Sequence, residues 1–399
     1  MESPVSSPTI DRSITAAATM QRYRNRRGHS KNVETQLVRP SPARLAESLH
    51  DTPFDLHDYI EQAETMRSTV LYLAYGSNLC NETFRGVRGI KPVSQVNVQV
   101  PSLRLTFDLP GIPYAEPCFA NSGARDPNDD PLSTRASEFI QNEKTPLLSR
   151  GADEKEGYRK DQWHKGLVGV VYEVTAQDYA HIIATEGGGS AYRDVLVDCH
   201  PFATSDPTVP VPRNPTLPAF RAHTLFAPAT PPGEAPPKDG GRFQRPDVSY
   251  AQASARYLKL ITDGAAELGL PYEYQKYLLA LRPYTVTTSK QRVGQFVFLA
   301  IWLPVVQFIF MAGTMFQDDK GRQPRWMREF SGAVFKAVWA SYDGFFKPMF
   351  GDGERSIADG GDDVDDETAA CHPRKQTPSG LSRSPPHIDV EKAGTRVGL

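Results

Sequence analysis

The residues with the clearest chemical potential follow the first compact apolar run of the chain. Residues 72–79 read Tyr-Leu-Ala-Tyr-Gly-Ser-Asn-Leu and place a glycine, a hydroxyl and an amide at the end of that run. Such a loop can present successive backbone N–H groups to an anion, either a substrate carboxylate or a developing oxyanion. On spacing alone, a plain strand-to-turn connection is the more typical interpretation.

Glu186 is the second candidate for chemistry. Thr175 and Asp178 form a helix-start signal, and the glycines at 187–189 end the predicted helix directly after Glu186. A carboxylate at such a helix end, beside a flexible loop, can accept a proton and later return it. Taken alone, an exposed carboxylate without a catalytic role is the more common situation.

Three segments, in this order, resemble the γ-glutamylcyclotransferase family. Residues 72–79 are similar to its signature loop, residues 169–174 with Glu186 to its central strand and catalytic glutamate, and residues 269–275 to a segment with a substrate-contacting tyrosine. The resemblance covers residues 68–283, little more than half of the chain. It implies that Glu186 is catalytic and that the substrate is bound by Tyr72, Leu73, Ala74, Tyr75, Gly76, Ser77, Asn78, Leu79 and Tyr274.

The resemblance also implies a reaction. Members of the family close a γ-glutamyl group into 5-oxoproline by attack of its own α-amino group, and Glu186 is expected to act as general acid and base. No metal or organic cofactor is expected, and the expected partner is a small-molecule γ-glutamyl substrate. Asn78 and Leu79 favour the broader γ-glutamyl class over the glutathione-specific one, and residues 105–108 and 118–121 look closest to fungal members, some associated with sulfur-containing toxin biosynthesis.

Two other functions stay open at the level of sequence. One is removal of a γ-glutamyl group from a glutathione-derived secondary metabolite. The other is a non-catalytic, membrane-tethered module that binds γ-glutamyl compounds. The intact residues 75–79 and Glu186 favour the catalytic interpretations.

Composition and charge argue against several other functions. The formal net charge is -2, and no basic stripe interleaved with aromatic residues is present, so nucleic acid is not an expected partner. Cys80, Cys118, Cys199 and Cys371 show neither a paired motif nor metal-ligand spacing, which favours a reducing compartment without a structural metal. The N-terminus lacks the apolar run of a secretory signal, so export is not expected.

The elements that must position these residues are predicted to form an α+β domain over residues 68–290. We expect a γ-glutamylcyclotransferase-like mixed sheet or small β-barrel with flanking helices. Apolar alternation and breaker residues predict strands at 69–75, 93–100, 103–109, 167–174, 192–199 and 220–226, and helices at 176–185, 250–268 and 273–281.

Polar and proline-rich segments are predicted to be disordered. They are an N-terminal tail over 1–67, insertions at about 121–165 and 201–218, a linker at 228–247 and a C-terminal tail over 351–399. The arginine-rich stretch at 22–27 is compatible with a mitochondrial presequence, although a solvated tail is the simpler interpretation.

The strongest membrane signal is the charge-free segment 293–317, which is long enough to cross a bilayer. Pro304 near its centre favours a hairpin slightly over an ordinary span, and a buried helical hairpin packed on the domain is the soluble alternative. Apolar residues over 332–350 recur as in an interfacial amphipathic helix. The expected location is therefore a membrane, with the catalytic domain facing the cytosol.

Overall fold

A computed structural model of the chain describes residues 38–127, 163–186, 192–227, 229–230, 242–243, 245–247, 250–316 and 324–356. Its centre is a closed barrel of five strands in the order β1-β5-β2-β6-β7. The strands are β1 (Thr69–Ala74), β2 (Ser94–Val100), β5 (Leu167–Thr175), β6 (Arg193–Pro201) and β7 (Phe220–Phe226). The α+β class with a small barrel and flanking helices is confirmed.

The barrel closes where β1 meets β7. All its other strand pairs are antiparallel, whereas β1 and β7 run parallel with Tyr72 opposite His223. β1 and β5 read as nearly continuous apolar runs because both faces of these strands are covered, which leaves residues such as Leu71, Leu73 and Val171 with no exposed surface.

A two-stranded hairpin of β3 (Leu103–Ile112) and β4 (Glu116–Ala124) lies outside the barrel. Tyr114 at its tip is fully buried and has a φ of 65°. Its hydroxyl donates to the carbonyl oxygen of Gly351 at 2.6 Å, and its backbone N–H donates to that of Gly353 at 2.8 Å. The hairpin tip is thereby fixed to the C-terminal part of the chain.

Three helices flank the barrel as the sequence predicts. The helix after β5 is Ala176–Thr185, and the Thr175 side chain accepts a hydrogen bond from the Asp178 backbone at its start. The other two are Ala255–Glu267, which is capped by Ser254, and Tyr272–Ala280. We number these α3, α4 and α5, because two helices precede them in the chain.

The prediction of a disordered N-terminal tail is wrong for residues 38–67. The segment forms α1 (Pro42–Glu47), a 3₁₀ turn (Ser48–His50) and α2 (Leu56–Gln62). The apolar residues of α2 recur at helical spacing and are buried against the barrel, which offsets the entropy of ordering this polar segment. They are Leu56, Tyr59, Ile60 and Ala63. Residues 1–37, including the arginine-rich stretch, lie outside the described residues.

The other predicted disordered segments also need correction where they are described. Residues 121–124 belong to β4, and the loop 201–218 is held by hydrogen bonds such as Val211 N–H to Glu273 at 3.0 Å. In the 228–247 linker, residues 229–230 and 242–243 pair as short strands β8 and β9, and Arg245 is buried. Residues 128–162 and 357–399 lie outside the described part of the chain.

The charge-free segment forms a single helix, α6 (Ser289–Met315), so the predicted hairpin at Pro304 is wrong. Thr288 and Gln291 form a capping box at its start. Pro304 is accommodated inside the helix. Helix α7 (Arg325–Ser341), a π-helical turn (Tyr342–Phe346) and α8 (Lys347–Phe350) follow.

The C-terminal helices form a second apolar core with the hairpin tip. Tyr114, Phe298, Trp339, Tyr342 and Phe346 are its largest members, and all are almost fully buried. The apolar stripe predicted for an interfacial helix at 332–350 therefore serves mainly internal packing. Phe345 and Met349 remain half exposed.

Candidate active site

The loop after β1 is held in place by direct backbone contact with α4. A Cβ atom added at Gly264 would lie 2.4 Å from the carbonyl carbon of Leu79 and 2.5 Å from the backbone nitrogen of Cys80. Only glycine allows this approach of helix and loop. The loop tightens into a 3₁₀ turn, Ser77–Leu79, which buries the side chains of Asn78 and Leu79.

Glu186 is placed at the end of α3, where its backbone N–H donates to the carbonyl of Ile182 at 3.0 Å. Its Oε1 atom accepts hydrogen bonds from Asn78 Nδ2 at 3.1 Å and from Arg88 Nη2 at 2.6 Å. The side chain keeps 22% of its surface exposed. The described residues donate two hydrogen bonds to this carboxylate, and Oε1 accepts both. Oε2 therefore remains available to a bound molecule.

The Asn78 amide links Glu186 to the barrel. Its nitrogen also donates to the hydroxyl of Tyr72 at 2.9 Å, so both amide hydrogens are used. Its oxygen is buried and has no hydrogen-bond partner among the residues that the structure describes. A buried acceptor without a donor is costly, and a ligand N–H group is one way to satisfy it.

Four tyrosines share the electrostatic environment of Glu186. Burial, with a further contribution from the Glu186 charge, raises the pKa of Tyr75 to about 12. Burial is also the main cause that raises the pKa values of Tyr72, Tyr192 and Tyr257 above their usual range, and the Glu186 charge adds to each. All four phenols therefore stay protonated near neutral pH and can donate hydrogen bonds.

The β3–β4 hairpin completes this side of the site. The Tyr75 hydroxyl donates to Ser122 Oγ at 3.3 Å, and the Tyr257 hydroxyl accepts from the Ala120 backbone N–H at 3.2 Å. A Cβ atom at Gly76 would point toward the same two groups, 3.4 Å from the Tyr257 hydroxyl and 3.6 Å from the Ala120 side chain. The arrangement is a small polar recess between loop, hairpin and α4.

Comparison with known proteins identifies the chain. The γ-glutamyl cyclotransferase gliK of Aspergillus fumigatus is 30% identical over 286 residues, which cover 71% of this chain and 89% of the relative. The chain belongs to the γ-glutamyl cyclotransferase family. The γ-glutamyl cyclotransferase aclK of Aspergillus oryzae is 27% identical over 299 residues, covering 71% of this chain and 90% of that protein.

Further similarities of this cyclotransferase family member are to a family model and to solved structures. A family described as the AclK C-terminal domain matches residues 288–349, which span α6, α7 and most of α8. A solved structure described as a γ-glutamyl cyclotransferase is 17% identical and covers 56% of this chain and 93% of its own, with a TM-score of 0.34. A second, described as specific to glutathione from yeast, is 15% identical over 53% of this chain and 95% of its own, with a TM-score of 0.29.

The structure brings half of the predicted site residues of this cyclotransferase together. Tyr72, Tyr75, Gly76, Asn78 and Glu186 surround the recess described above. Leu73, Ala74 and Leu79 are core residues with almost no exposed surface, so their side chains serve packing. Ser77 begins the turn of the loop.

Tyr274 of α5 lies in a different environment. It is fully buried and packs against Trp163 and Tyr277, with ring centroids 5.0 and 5.6 Å away. Burial raises its pKa well above the ordinary value, with Tyr277 as the charge that adds to this effect. Its predicted contact with substrate stays a prediction.

Sequence reasoning missed three residues of the site: Arg88, Tyr192 and Tyr257. Arg88 and Glu186 are far apart in the chain, and nothing in the local sequence distinguishes Arg88 from the nearby Arg85. Tyr257 lies on the apolar face of a predicted helix, where an aromatic residue is normally part of the core. Among the described residues, no group of three or more His, Cys, Asp and Glu side chains is arranged to hold a metal ion.

Proposed function

We propose that this protein converts a γ-glutamyl amino acid into 5-oxoproline and the free amino acid, with Glu186 as general acid and base. The observation that carries the proposal is that Asn78 and Arg88 both donate to Glu186 Oε1. Oε2 accepts no hydrogen bond from a described residue. A fixed carboxylate with one uncommitted oxygen is suited to move protons between two nitrogens of one substrate.

The proposed reaction needs no second reactant. Glu186 removes a proton from the α-ammonium group, and the resulting amine attacks the γ-carbonyl carbon to form the new C–N bond. The old C–N bond breaks as the leaving nitrogen receives a proton from the same carboxylate. Two protons in all leave the α-nitrogen and two reach the leaving amine, one at a time, so the balance closes without water. The attack is intramolecular, which removes most of its entropic cost.

The recess supplies groups for both ends of the γ-glutamyl head. The unpartnered Asn78 Oδ1 can accept from the α-ammonium group, close to the carboxylate that must deprotonate it. The protonated hydroxyls of Tyr192 and Tyr257 can donate to the α-carboxylate or to the oxyanion formed during attack. A methyl group at Gly76 would be in van der Waals contact with the Tyr257 hydroxyl, so glycine keeps this narrow gap open to the substrate.

A γ-glutamyl conjugate derived from glutathione is the second candidate substrate. The names of the relatives specify γ-glutamyl cyclotransfer without naming the leaving amine. Both candidates present the same head to Glu186 and differ only in the leaving group. A substrate panel therefore separates them, whereas substitutions in the recess do not.

The test is turnover of the full chain with γ-glutamyl dipeptides, glutathione and S-conjugates of glutathione, monitored by mass spectrometry of 5-oxoproline. Replacing Glu186 by Gln removes the proton carrier while the side-chain volume is retained. We expect the rate to fall by about 10²–10⁴-fold with an unchanged unfolding midpoint. Retention of most activity in Glu186→Gln would remove this residue from the mechanism, and absence of product from the folded parent would favour a non-catalytic binding module.

We further propose that the C-terminal helices bind the surface of a membrane. Helix α6 contains an apolar window over Ser289–Gly313 of mean hydropathy 2.2, of which 28% is buried. The first turns of α6 attach the helix to the hairpin tip, since Gln295 donates to the Tyr114 carbonyl at 2.6 Å and Phe298 is fully buried. Large apolar side chains stay exposed along the whole of α6 and at the start of α7: Val293, Phe296, Ile301, Phe308, Phe310, Met311, Met315, Phe316, Trp326 and Phe330.

The pattern of burial along α6 favours shallow insertion over crossing. Val306, Ile309 and Ala312 are buried at helical spacing, so one side of the helix packs on protein as far as its last turn while the opposite side is exposed. The sequence before and at the start of α7 is rich in basic residues, Lys320, Arg322, Arg325 and Arg328, and such a cluster favours anionic headgroups.

Binding to vesicles of mixed neutral and anionic lipids tests this proposal. We expect co-sedimentation of the full chain and release by alkaline carbonate, with loss of binding in Phe310→Asp and no loss in the control Lys276→Asp on α5. Retention of the protein in carbonate-washed membranes would indicate a crossing helix instead. Absence of any vesicle binding would assign the apolar face to a protein partner.

A further inference from the structure

A cleft of about 370 Å³ opens at the end of β1 that lies away from the catalytic loop. β1 is six residues long, so the two sites are separated by roughly 20 Å of strand. The cleft is lined by α1, the 3₁₀ turn after it, the start of β1 and one residue of β7. Its polar lining consists of Arg44, Glu47, Asp51, Arg67, Ser68, Thr69 and His223.

His223 forms the buried wall of the cleft, with its side chain 1% exposed. Its Nδ1 atom lies 2.8 Å from the carboxylate of Asp194, which also accepts from the Tyr179 hydroxyl at 2.6 Å and the Phe54 backbone N–H at 2.8 Å. A carboxylate only accepts, so Nδ1 carries a proton, and in the tautomer with its single proton on Nδ1 the Nε2 atom is an acceptor. Nε2 has no hydrogen-bond partner among the described residues.

A second carboxylate faces this nitrogen. Asp51 Oδ2 lies 3.8 Å from His223 Nε2 and accepts one long hydrogen bond, 3.4 Å, from Arg44 Nη2. The gap is suited to a ligand that brings donors of its own. An ammonium group placed there would donate to both atoms and would satisfy the buried imidazole.

Arg44 supplies a positive charge and hydrogen-bond donors on the neighbouring wall of the cleft. Its Nη2 atom donates to the Thr69 carbonyl at 2.8 Å, which fixes the guanidinium at the base of the cleft. Its Nη1 atom is buried without a hydrogen bond from the described residues, and the Glu47 carboxylate is 4.0 Å away. A ligand carboxylate would accept from this N–H group in a charge-assisted hydrogen bond.

We propose that this cleft binds a free α-amino acid as its zwitterion. The lining contains two arginines and two carboxylates, so its formal charge is zero when His223 is neutral. A ligand of zero net charge that carries both signs fits this lining better than a simple anion or cation. The volume lies at the lower end of the roughly 300–1,000 Å³ that small-molecule pockets occupy.

The cleft is connected to the catalytic site by packed aromatic rings. Tyr179, which donates to Asp194, lies 5.8 Å from Tyr72, and the Tyr72 hydroxyl accepts from Asn78 beside Glu186. A free amino acid is also what the proposed cyclotransfer releases, so the cleft is suited to sense that product. This link rests on the proposed function, whereas the binding itself does not.

Calorimetric titration of the full chain with L-alanine, L-methionine, acetate and methylamine tests the proposal, since the last two carry one charge each. We expect the amino acids to bind and the single-charge compounds to bind much more weakly. Arg44→Met should weaken amino-acid binding by at least about tenfold. Lys91→Met serves as the control, because Lys91 is an exposed cation outside the lining of the cleft and its loss should leave the titration unaltered.

A second variant covers the case in which Arg44→Met fails to fold. Ser68 is exposed at the cleft, so Ser68→Trp fills the space without altering the buried network. It should also abolish binding, and hydrogen exchange of the unmodified protein should show ligand protection in residues 42–69. No heat up to about 10 mM amino acid, equal binding of acetate, or full binding in the folded Ser68→Trp variant would each overturn the proposal.

Discussion

The Arg88 guanidinium lies 2.6 Å from Oε1 of Glu186, and the two side chains are 14% and 22% exposed. The second guanidinium nitrogen of Arg88 donates to Thr185 Oγ1 at 2.5 Å, so Arg88 binds both residues at the end of α3. The proposed acid/base residue is therefore oriented by a contact that spans the site rather than by its own helix. This relationship makes Arg88 a positioning residue.

We predict that Arg88→Met lowers kcat by about tenfold to a hundredfold and changes KM much less, because Glu186 then loses its orientation. Initial rates over a range of substrate concentrations measure both constants. Lys91→Met is the matched control, since Lys91 is an exposed cation in the following loop and has no contact with Glu186 among the described residues. Equal effects of the two substitutions would contradict a positioning role.

Gly76→Ala is predicted to fold normally and to raise KM by about tenfold or more. The added methyl group would lie 3.4 and 3.6 Å from its neighbours, which is ordinary contact, yet it would occupy the space proposed for substrate. Gly86→Ala provides the comparison, because its Cβ would meet nothing nearer than 4.0 Å and its side chain would be exposed. A KM unchanged by Gly76→Ala would place the substrate elsewhere.

Gly264→Ala is predicted to destabilise the fold by about 1–3 kcal/mol, because the methyl group would overlap the backbone of Leu79 and Cys80. Urea unfolding measures the change, with Gly332→Ala as a helical control that meets no atom within 4 Å. We also expect activity to fall in the folded fraction, since the displaced loop carries Asn78. A stable and fully active Gly264→Ala would show that the loop tolerates movement.

We predict a loss of stability at alkaline pH, because the tyrosines near Glu186 have raised pKa values in the folded protein. An unfolded tyrosine has a pKa of about 10, whereas the pKa of Tyr75 in the fold is raised to about 12. Between these values the folded state binds more protons than the unfolded state, so the free energy of unfolding falls as pH rises. Denaturant titrations at several pH values, followed by near-ultraviolet tyrosinate absorbance, measure this effect. Tyr75→Phe should make the decline shallower, and an unchanged slope would contradict the assignment.

The barrel strands and α3 are predictable from sequence because their signals are local. Apolar runs mark β1 and β5, and Thr175 supplies a helix cap that the structure reproduces. Helix α2 is missed because its few apolar residues lie in a polar segment and become stable only against the barrel. The hairpin at Pro304 is predicted wrongly because a proline that is tolerated inside a helix gives the same sequence signal as one that breaks it.

The site itself is only partly predictable for the same reason. Asn78 and Glu186 are recognisable through their motifs, but the contact between them joins two segments that are distant in the chain. Arg88 and Tyr257 have no motif, and their roles follow from the way the barrel and α4 bring chain segments together. His223 looks like an ordinary strand residue until its unpartnered nitrogen is seen to face a cleft.

Product analysis in heavy-oxygen water tests the central claim most directly, since cyclotransfer and hydrolysis differ in the fate of water. The full chain is incubated with a γ-glutamyl dipeptide, and the product is examined by mass spectrometry beside that of Glu186→Gln. Intramolecular attack predicts 5-oxoproline without heavy oxygen from the parent protein and a product yield near background from the variant. Glutamate carrying heavy oxygen, or equal 5-oxoproline from both proteins, would contradict cyclisation by Glu186.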